Sequence, residues 1–207
     1  MGLRRNRAAN YLKRLQIKAY LAIKKVKYEV LPGINGHIII SCEKMNELEI
    51  TYPRIILGKG ISINSGYYKN LIGRGICTIF RTIDNGRIVI GNNVKMSNVA
   101  IVSMKEIIIE DNVMIGGGVT IWDTDFHSLD FETRIYNPYM DICSKEVRIK
   151  EGAFIGAGVY ILKGVSIGKE SIVAAGSVVT RSIPDYEMWG GNPARCIKKS
   201  LKAKPEN

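Results

Sequence analysis

The chain has 207 residues, 46% hydrophobic and 24% charged, with a formal net charge of +11, a balance that fits one soluble globular domain with extensions. No uninterrupted apolar run is long enough to cross a bilayer as a helix. Cys42, Cys77, Cys143 and Cys196 are widely spaced and form no CxxC pair, which points to reduced thiols in a cytoplasmic protein and away from a disulfide framework or a zinc site.

Residues 1–30 hold nine Lys/Arg (Arg4, Arg5, Arg7, Lys13, Arg14, Lys18, Lys24, Lys25, Lys27) against Glu29, a local charge of +8. Leu12, Leu15, Ala19, Ile23 and Val26 fall at helical spacing and can share one face. Such a basic amphipathic segment suits either peripheral contact with an anionic membrane surface or packing on the domain with a solvated basic face. No recognition motif accompanies the charge, so no nucleic-acid partner is expected. No apolar stretch with a small-residue cleavage site follows the basic residues, so no signal peptide is expected. Residues 1–48 therefore read as a basic, partly helical extension.

From about residue 49 a different period takes over. Leu57 and Ile63 give one step of six, and Ile72-Gly73 reads as an out-of-phase fragment. Ile90 and Met96 restore the step. Ile109, Ile115 and Ile121 continue it one residue out of register, which places a one-residue insertion between Val102 and Ile109. The clearest run is 147–183, where Ile149, Ile155, Ile161, Ile167, Val173 and Val179 recur every six residues. A period of six is neither the 3.6 of a helix nor the 2 of a plain strand. Each hexad makes one short strand and one corner, and three hexads close a triangular coil of 18 residues. Ile149 then stacks on Ile167, Ile155 on Val173 and Ile161 on Val179, and coils must stack because one alone cannot bury its inner face.

The period breaks informatively after Ile121. The phase resumes at Ile149, so residues 123–146 leave the coil as a loop, and long loops in compact domains are usually functional. It carries His127 among Asp123, Asp125, Asp130 and Glu132, with Trp122, Phe126, Phe131, Tyr136 and Tyr139 nearby. A histidine suits proton transfer near neutral pH. Asp123 and Asp125 with His127 could ligate a cation, but the other histidine, His37, is remote in sequence, and no metal is expected.

The segments IGGGVTIWDTDFHSLDFETR and IGAGVYILKGVSIGKESIVAAGSVVTRSIPDYEMWGGNPARCIKK resemble the hexapeptide-repeat acyltransferases, above all the sugar O-acetyltransferases of the galactoside and maltose group and of capsule and O-antigen biosynthesis. The resemblance covers roughly residues 55–199. It implies an all-β fold, a left-handed parallel β-helix over 49–183, with a C-terminal donor-binding segment and tail over 184–207. It also implies a cytoplasmic homotrimer with active sites between subunits, using acetyl-CoA and no metal to acetylate a sugar. By motif, His127 is the general base, accompanied by Asp125, Asp130 and Arg134. Ser128 stands where the family has proline. Ala157 and Ala175, 18 residues apart, would stack into an edge for the pantetheine arm. Thr180, Arg181, Arg195 and Lys198 match positions facing coenzyme A. The family's acceptor-contacting asparagine aligns near Met96, with Asn98 two residues on. N-acetylation of an amino sugar, acetylation of a hydroxylated antibiotic, and a catalytically silent trimeric scaffold are the alternative readings.

Overall fold

The structure, a computed structural model, describes residues 2–44, 53–66, 68–70, 72 and 76–201, with side chains from Ala9 onward. Its body is a three-sided parallel β-helix of six coils. The first coil is β1 (Lys27–Tyr28), β2 (Gly33–Gly36) and β3 (Ile38–Glu43); the second is β4 (Ile55–Leu57), β5 (Ser62–Ser65) and β6 (Thr78–Ile83). The third runs through β7 (Arg87–Ile90), β8 (Lys95–Ser97) and β9 (Ala100–Ser103), and the fourth through β10 (Glu106–Ile109), β11 (Met114–Ile115) and β12 (Thr120–Trp122). β13 (Val147–Ile149), β14 (Phe154–Ile155) and β15 (Tyr160–Ile161) form the fifth; β16 (Ser166–Ile167), β17 (Ile172–Val173) and β18 (Val178–Val179) form the sixth. Sheet A collects the first strand of every coil, sheet B the second and sheet C the third.

The stacking follows from the repeat. Ile149 pairs with Ile167, Ile155 with Val173 and Ile161 with Val179, and all six are at most 1% exposed. In each two-residue strand one side chain faces out and the next faces in, as Met114 and Ile115 do; this is the period-2 alternation of a strand. Coils can approach closely where a side chain is missing. A Cβ on Gly116 would lie 2.6 Å from the Ala157 nitrogen, and one on Gly156 would lie 2.5 Å from the Ala175 nitrogen.

The solenoid starts earlier than the repeat suggests. Lys27–Tyr28 pairs in parallel with Ile56–Leu57, and Gly33–Gly36 with Ser62–Ser65, so the first coil lies inside the segment read as an extension. Tyr28, Ile34 and Ile40 do keep the interval of six, but an aromatic at the first place and glycines within β2 disguise it. The excursion at 123–146 is also not the single interruption. A long connection separates β3 from β4, and the chain leaves the coil between β5 and β6. Ile72 sits in that second excursion, 71% exposed, rather than in a hexad; Gly73 falls outside the described residues. The one-residue slip resolves into two corners: five residues carry the chain from Met96 to Ile101 and eight from Ile101 to Ile109, against a regular six.

Both ends of the solenoid are closed. α1 (Gly2–Ile23) lies on the first coil through Ile17, Tyr20 and the fully buried Leu21. The Tyr20 hydroxyl accepts a hydrogen bond of 2.9 Å from the Ile40 N–H, satisfying a donor on the outermost strand of sheet C. Of the face that could have packed here or met a membrane, Leu12, Leu15, Ala19 and Ile23 all point outward, while Val26 is buried just beyond the helix. At the far end, β19 (Met188–Gly191) extends sheet B beside β17 and turns back antiparallel into β20 (Ala194–Lys198). Residues 184–201 are thus a structured cap.

Candidate active site

The loop begins at a buried acid. Asp123 is 0% exposed. It accepts hydrogen bonds from the Ser103 hydroxyl (2.7 Å), the Met104 N–H (2.7 Å) and the Lys105 N–H (2.9 Å). The two legs of the loop then run together. Lys145 N–H donates to the Asp123 carbonyl, Asp125 N–H donates to the Cys143 carbonyl, and Thr124 bridges antiparallel to Ser144. The loop leaves and re-enters the coil at one place.

A second clamp joins the loop to the fifth coil. The Lys163 ammonium lies 2.9 Å from an Asp125 carboxylate oxygen, both side chains being largely buried. The Asp125 hydrogen bond raises the Lys163 pKa above its ordinary value. Trp122 packs between Phe126 and Tyr160, with ring centroids 6.4 and 5.9 Å apart. Phe126 takes a left-handed φ of 63°, uncommon for a bulky residue. The chain turns there, and the exposed His127 follows.

Beyond His127, Asp130 and Arg134 hold backbone. Asp130 caps the short helix α2 (Phe131–Tyr136) by accepting from Thr133 N–H at 2.8 Å, and this bond lowers the Asp130 carboxyl pKa. Arg134 donates to the Ser128 and Leu129 carbonyls at 2.9 and 3.1 Å. Ser128, in the family's proline position, is 3% exposed and accepts from Asp130 N–H. Asp130 and Arg134 therefore shape the turn after His127. Asn98 is 1% exposed; its amide accepts from Gly66 N–H at 2.8 Å and donates to the Asn70 carbonyl at 3.0 Å. It braces the excursion between β5 and β6.

The residues expected to face the coenzyme form a different surface. Gly158 N–H donates to the Gly117 carbonyl and Gly176 N–H to the Ala157 carbonyl, so Gly117, Ala157 and Ala175 stand in one column at the corner between sheets B and C. Ala175 is exposed and Ala157 half-buried. Arg195 and Lys198 are exposed on β20, and Thr180 and Arg181 are exposed just after β18. Within one chain, the loop springs from the corner after sheet C, whereas the alanine column lies at the corner before it. Among the described residues, no three His, Cys, Asp or Glu side chains gather as a metal site.

Motif spacing singled out His127, Ala157 and Ala175 as candidates but gave no sign of the hydrogen bonds of Asp123 or of the Asp125–Lys163 pair. The signal for Asp123 was its place two residues after the inward Ile121, where the preceding coil has the buried Ser103 after Ile101. An acid in that inward position has to be bonded from within.

Comparison with known proteins points the same way. Residues 146–181 match the family described as bacterial transferase hexapeptide (six repeats). A galactoside O-acetyltransferase of Lactococcus lactis is 30% identical over 172 residues, 78% of this chain and 75% of that one. The chain belongs to the hexapeptide-repeat acetyltransferase family. Its coil is the left-handed parallel β-helix of that family. The chain is also 40% identical over 113 residues to an acetyltransferase homologue of Saccharomyces cerevisiae, spanning 54% of this chain and 56% of that protein's length. A hexapeptide-repeat acetyltransferase of Vibrio cholerae, solved with acetyl-coenzyme A, superposes with a TM-score of 0.53 at 34% identity over 60% of this chain and 66% of that one.

Proposed function

We propose that the protein transfers the acetyl group of acetyl-CoA to a sugar hydroxyl, with His127 as the general base. The placement of His127 carries this reading: it is an exposed imidazole on a loop whose base is clamped by Asp123 and by the Asp125–Lys163 pair. Acceptor and donor bind together. The acceptor oxygen attacks the thioester carbonyl carbon as His127 takes its proton. A backbone N–H at the Ala157 corner stabilises the tetrahedral oxyanion. Collapse breaks the C–S bond, and the imidazolium returns the proton to the leaving thiolate. Ala157 and Ala175 flank the pantetheine arm. Thr180, Arg181, Arg195 and Lys198 face the coenzyme's polar and anionic end. Asp125 lies on the acceptor side, and Asn98 acts there through the excursion it braces.

The loop and the alanine column occupy different corners of sheet C, which supports a site completed by a neighbouring protomer of a homotrimer. The proposed acceptor is a sugar of a surface polysaccharide, modified on the cytoplasmic side. The test is release of coenzyme A thiol with a panel of hexopyranosides, amino sugars and a hydroxylated antibiotic. His127→Ala should lower kcat by roughly 10²–10⁴-fold with the assembly intact. A His127→Ala protein with undiminished turnover would sink the assignment. Turnover confined to amino sugars would move the acceptor atom to nitrogen, and no turnover with any acceptor would favour the scaffold reading.

A further inference from the structure

α1 has two apolar faces, and the first coil covers one of them. At about 100° per residue, Ile17, Tyr20 and Leu21 fall together on the face against the solenoid. Tyr11, Ala22, Leu15, Ala19, Leu12 and Ile23 fall within an arc of roughly 120° on the other side, and all are exposed. Tyr11 is 64%, Leu12 59% and Ile23 76% exposed. Single exposed apolar residues are ordinary, but a contiguous stripe with a polar border marks an interaction site.

The border says what the stripe meets. Arg14 and Lys18 line it on the Tyr11 side, and both are exposed. Residues 1–28 contain no Asp or Glu. Along the same border runs a cleft of about 560 Å³, lined by Tyr11, Arg14, Leu15, Lys18, Tyr28 and Glu29. Two copies of α1 pressed stripe to stripe would bring cation rows together with no acid from either helix to offset them. An anionic bilayer instead supplies apolar depth for the leucines and negative headgroups for the cations. No described helix is long and apolar enough to cross a membrane, so the contact is one of lying on the surface.

We infer that the outer face of α1 docks the enzyme on an anionic lipid surface, with Leu12, Leu15 and Ile23 inserted at the headgroup level and Arg14 and Lys18 against lipid phosphates. The inner face still caps the solenoid, so docking needs no unfolding. An enzyme held this way meets acceptors carried on or near the bilayer at raised local concentration.

The test is co-sedimentation of the full chain with large vesicles of phosphatidylcholine alone and of phosphatidylcholine with 30 mol% phosphatidylglycerol as the probe. Binding should be confined to the anionic vesicles and should weaken as salt rises. Arg14→Gln/Lys18→Gln should lower the partition coefficient on the order of thirtyfold, and Leu12→Gln/Leu15→Gln by tenfold or more. Melting temperature and solution mass are measured for each variant. Wild-type protein that stays in the supernatant overturns the inference, as does equal binding by the variants. A changed solution mass in either double variant also overturns it, because the stripe would then be a contact between subunits. Thiol release with a soluble acceptor is expected to be unchanged throughout, which separates this result from that of the catalytic proposal.

Discussion

Replacing Asp123 tests whether the base of the His127 loop is held as the hydrogen bonds suggest. In Asp123→Ala, the Ser103 hydroxyl and the Met104 and Lys105 N–H groups all lose their acceptor. A buried donor left unmade costs about 1–3 kcal/mol. The hydroxyl can turn elsewhere and water can enter at the loop base, so roughly 3–5 kcal/mol is expected rather than the full sum. Against a typical total of about 5–15 kcal/mol, that is a large fraction. At about 2–4 °C per kcal/mol for a chain of this size, the melting temperature should fall by roughly 10 °C. Asp123→Asn is a graded control. Its amide oxygen can replace the carboxylate oxygen bonded to Ser103 and Lys105, but its NH₂ then meets the Met104 N–H donor to donor. One lost bond, about 1–2 kcal/mol, should place its melting point between the other two. Hydrogen exchange localises the effect: the Met104 and Lys105 amides should lose protection in both variants, Lys105 less in Asp123→Asn. An Asp123→Ala protein that melts within about 2 °C of wild type, with those amides still protected, would refute the reasoning.

Other consequences are simpler to state. Ala175→Phe puts a bulky side chain on the exposed corner beside the Ala157 column and should raise the KM for acetyl-CoA at least tenfold with the melting temperature unchanged. Gly156→Ala drives a Cβ to 2.5 Å from the Ala175 nitrogen, forcing the fifth and sixth coils apart; an overpacking cost of about 1–3 kcal/mol should lower the melting temperature by roughly 5 °C. Asp111 has its carboxyl pKa lowered by the hydrogen bond from Asn92 N–H. Its contribution to stability is therefore present above the unfolded-state value near 4 and lost as the pH falls through the folded one. Denaturation midpoints of wild type and Asp111→Asn should converge in acid and separate toward neutrality.

The repeat was most legible where each coil is built the same way. From Ile149 to Val179 every sixth residue is a buried Ile or Val, so the interval of six predicted partners that the sheets contain. The N-terminal coils obey the same rule less visibly. Tyr28, Ile34 and Ile40 point to the solenoid axis at the right interval, yet two long connections separate them from their successors. Phase is read by counting along the chain, and an excursion of arbitrary length resets the count without disturbing the stack. The outward stripe of α1 was left open between packing and membrane contact for a related reason. Periodicity shows that residues share a face, but two apolar faces on one helix give two valid stripes. Ile17, Tyr20 and Leu21 meet the coil because Tyr20 also satisfies the Ile40 N–H.

The site shows the same division between position and role. The order of motifs located His127, but an acid or a cation near a histidine in sequence need not face it. Asp130 directly precedes the helix Phe131–Tyr136, and a carboxylate in that place is drawn to the unpaired N–H groups of the first turn. Arg134 reaches two carbonyls within its own loop, while Asp123 is occupied by three donors from the third coil. Asp123, Asp130 and Arg134 are thus committed to holding the chain before and after His127. On the proposed reading, a general base must stay in place through a cycle of gaining and losing a proton, and a backbone fixed on both sides serves that need. The imidazole itself is exposed, and the wedge of Trp122 between Phe126 and Tyr160 sets the loop against the coil that carries Ala157.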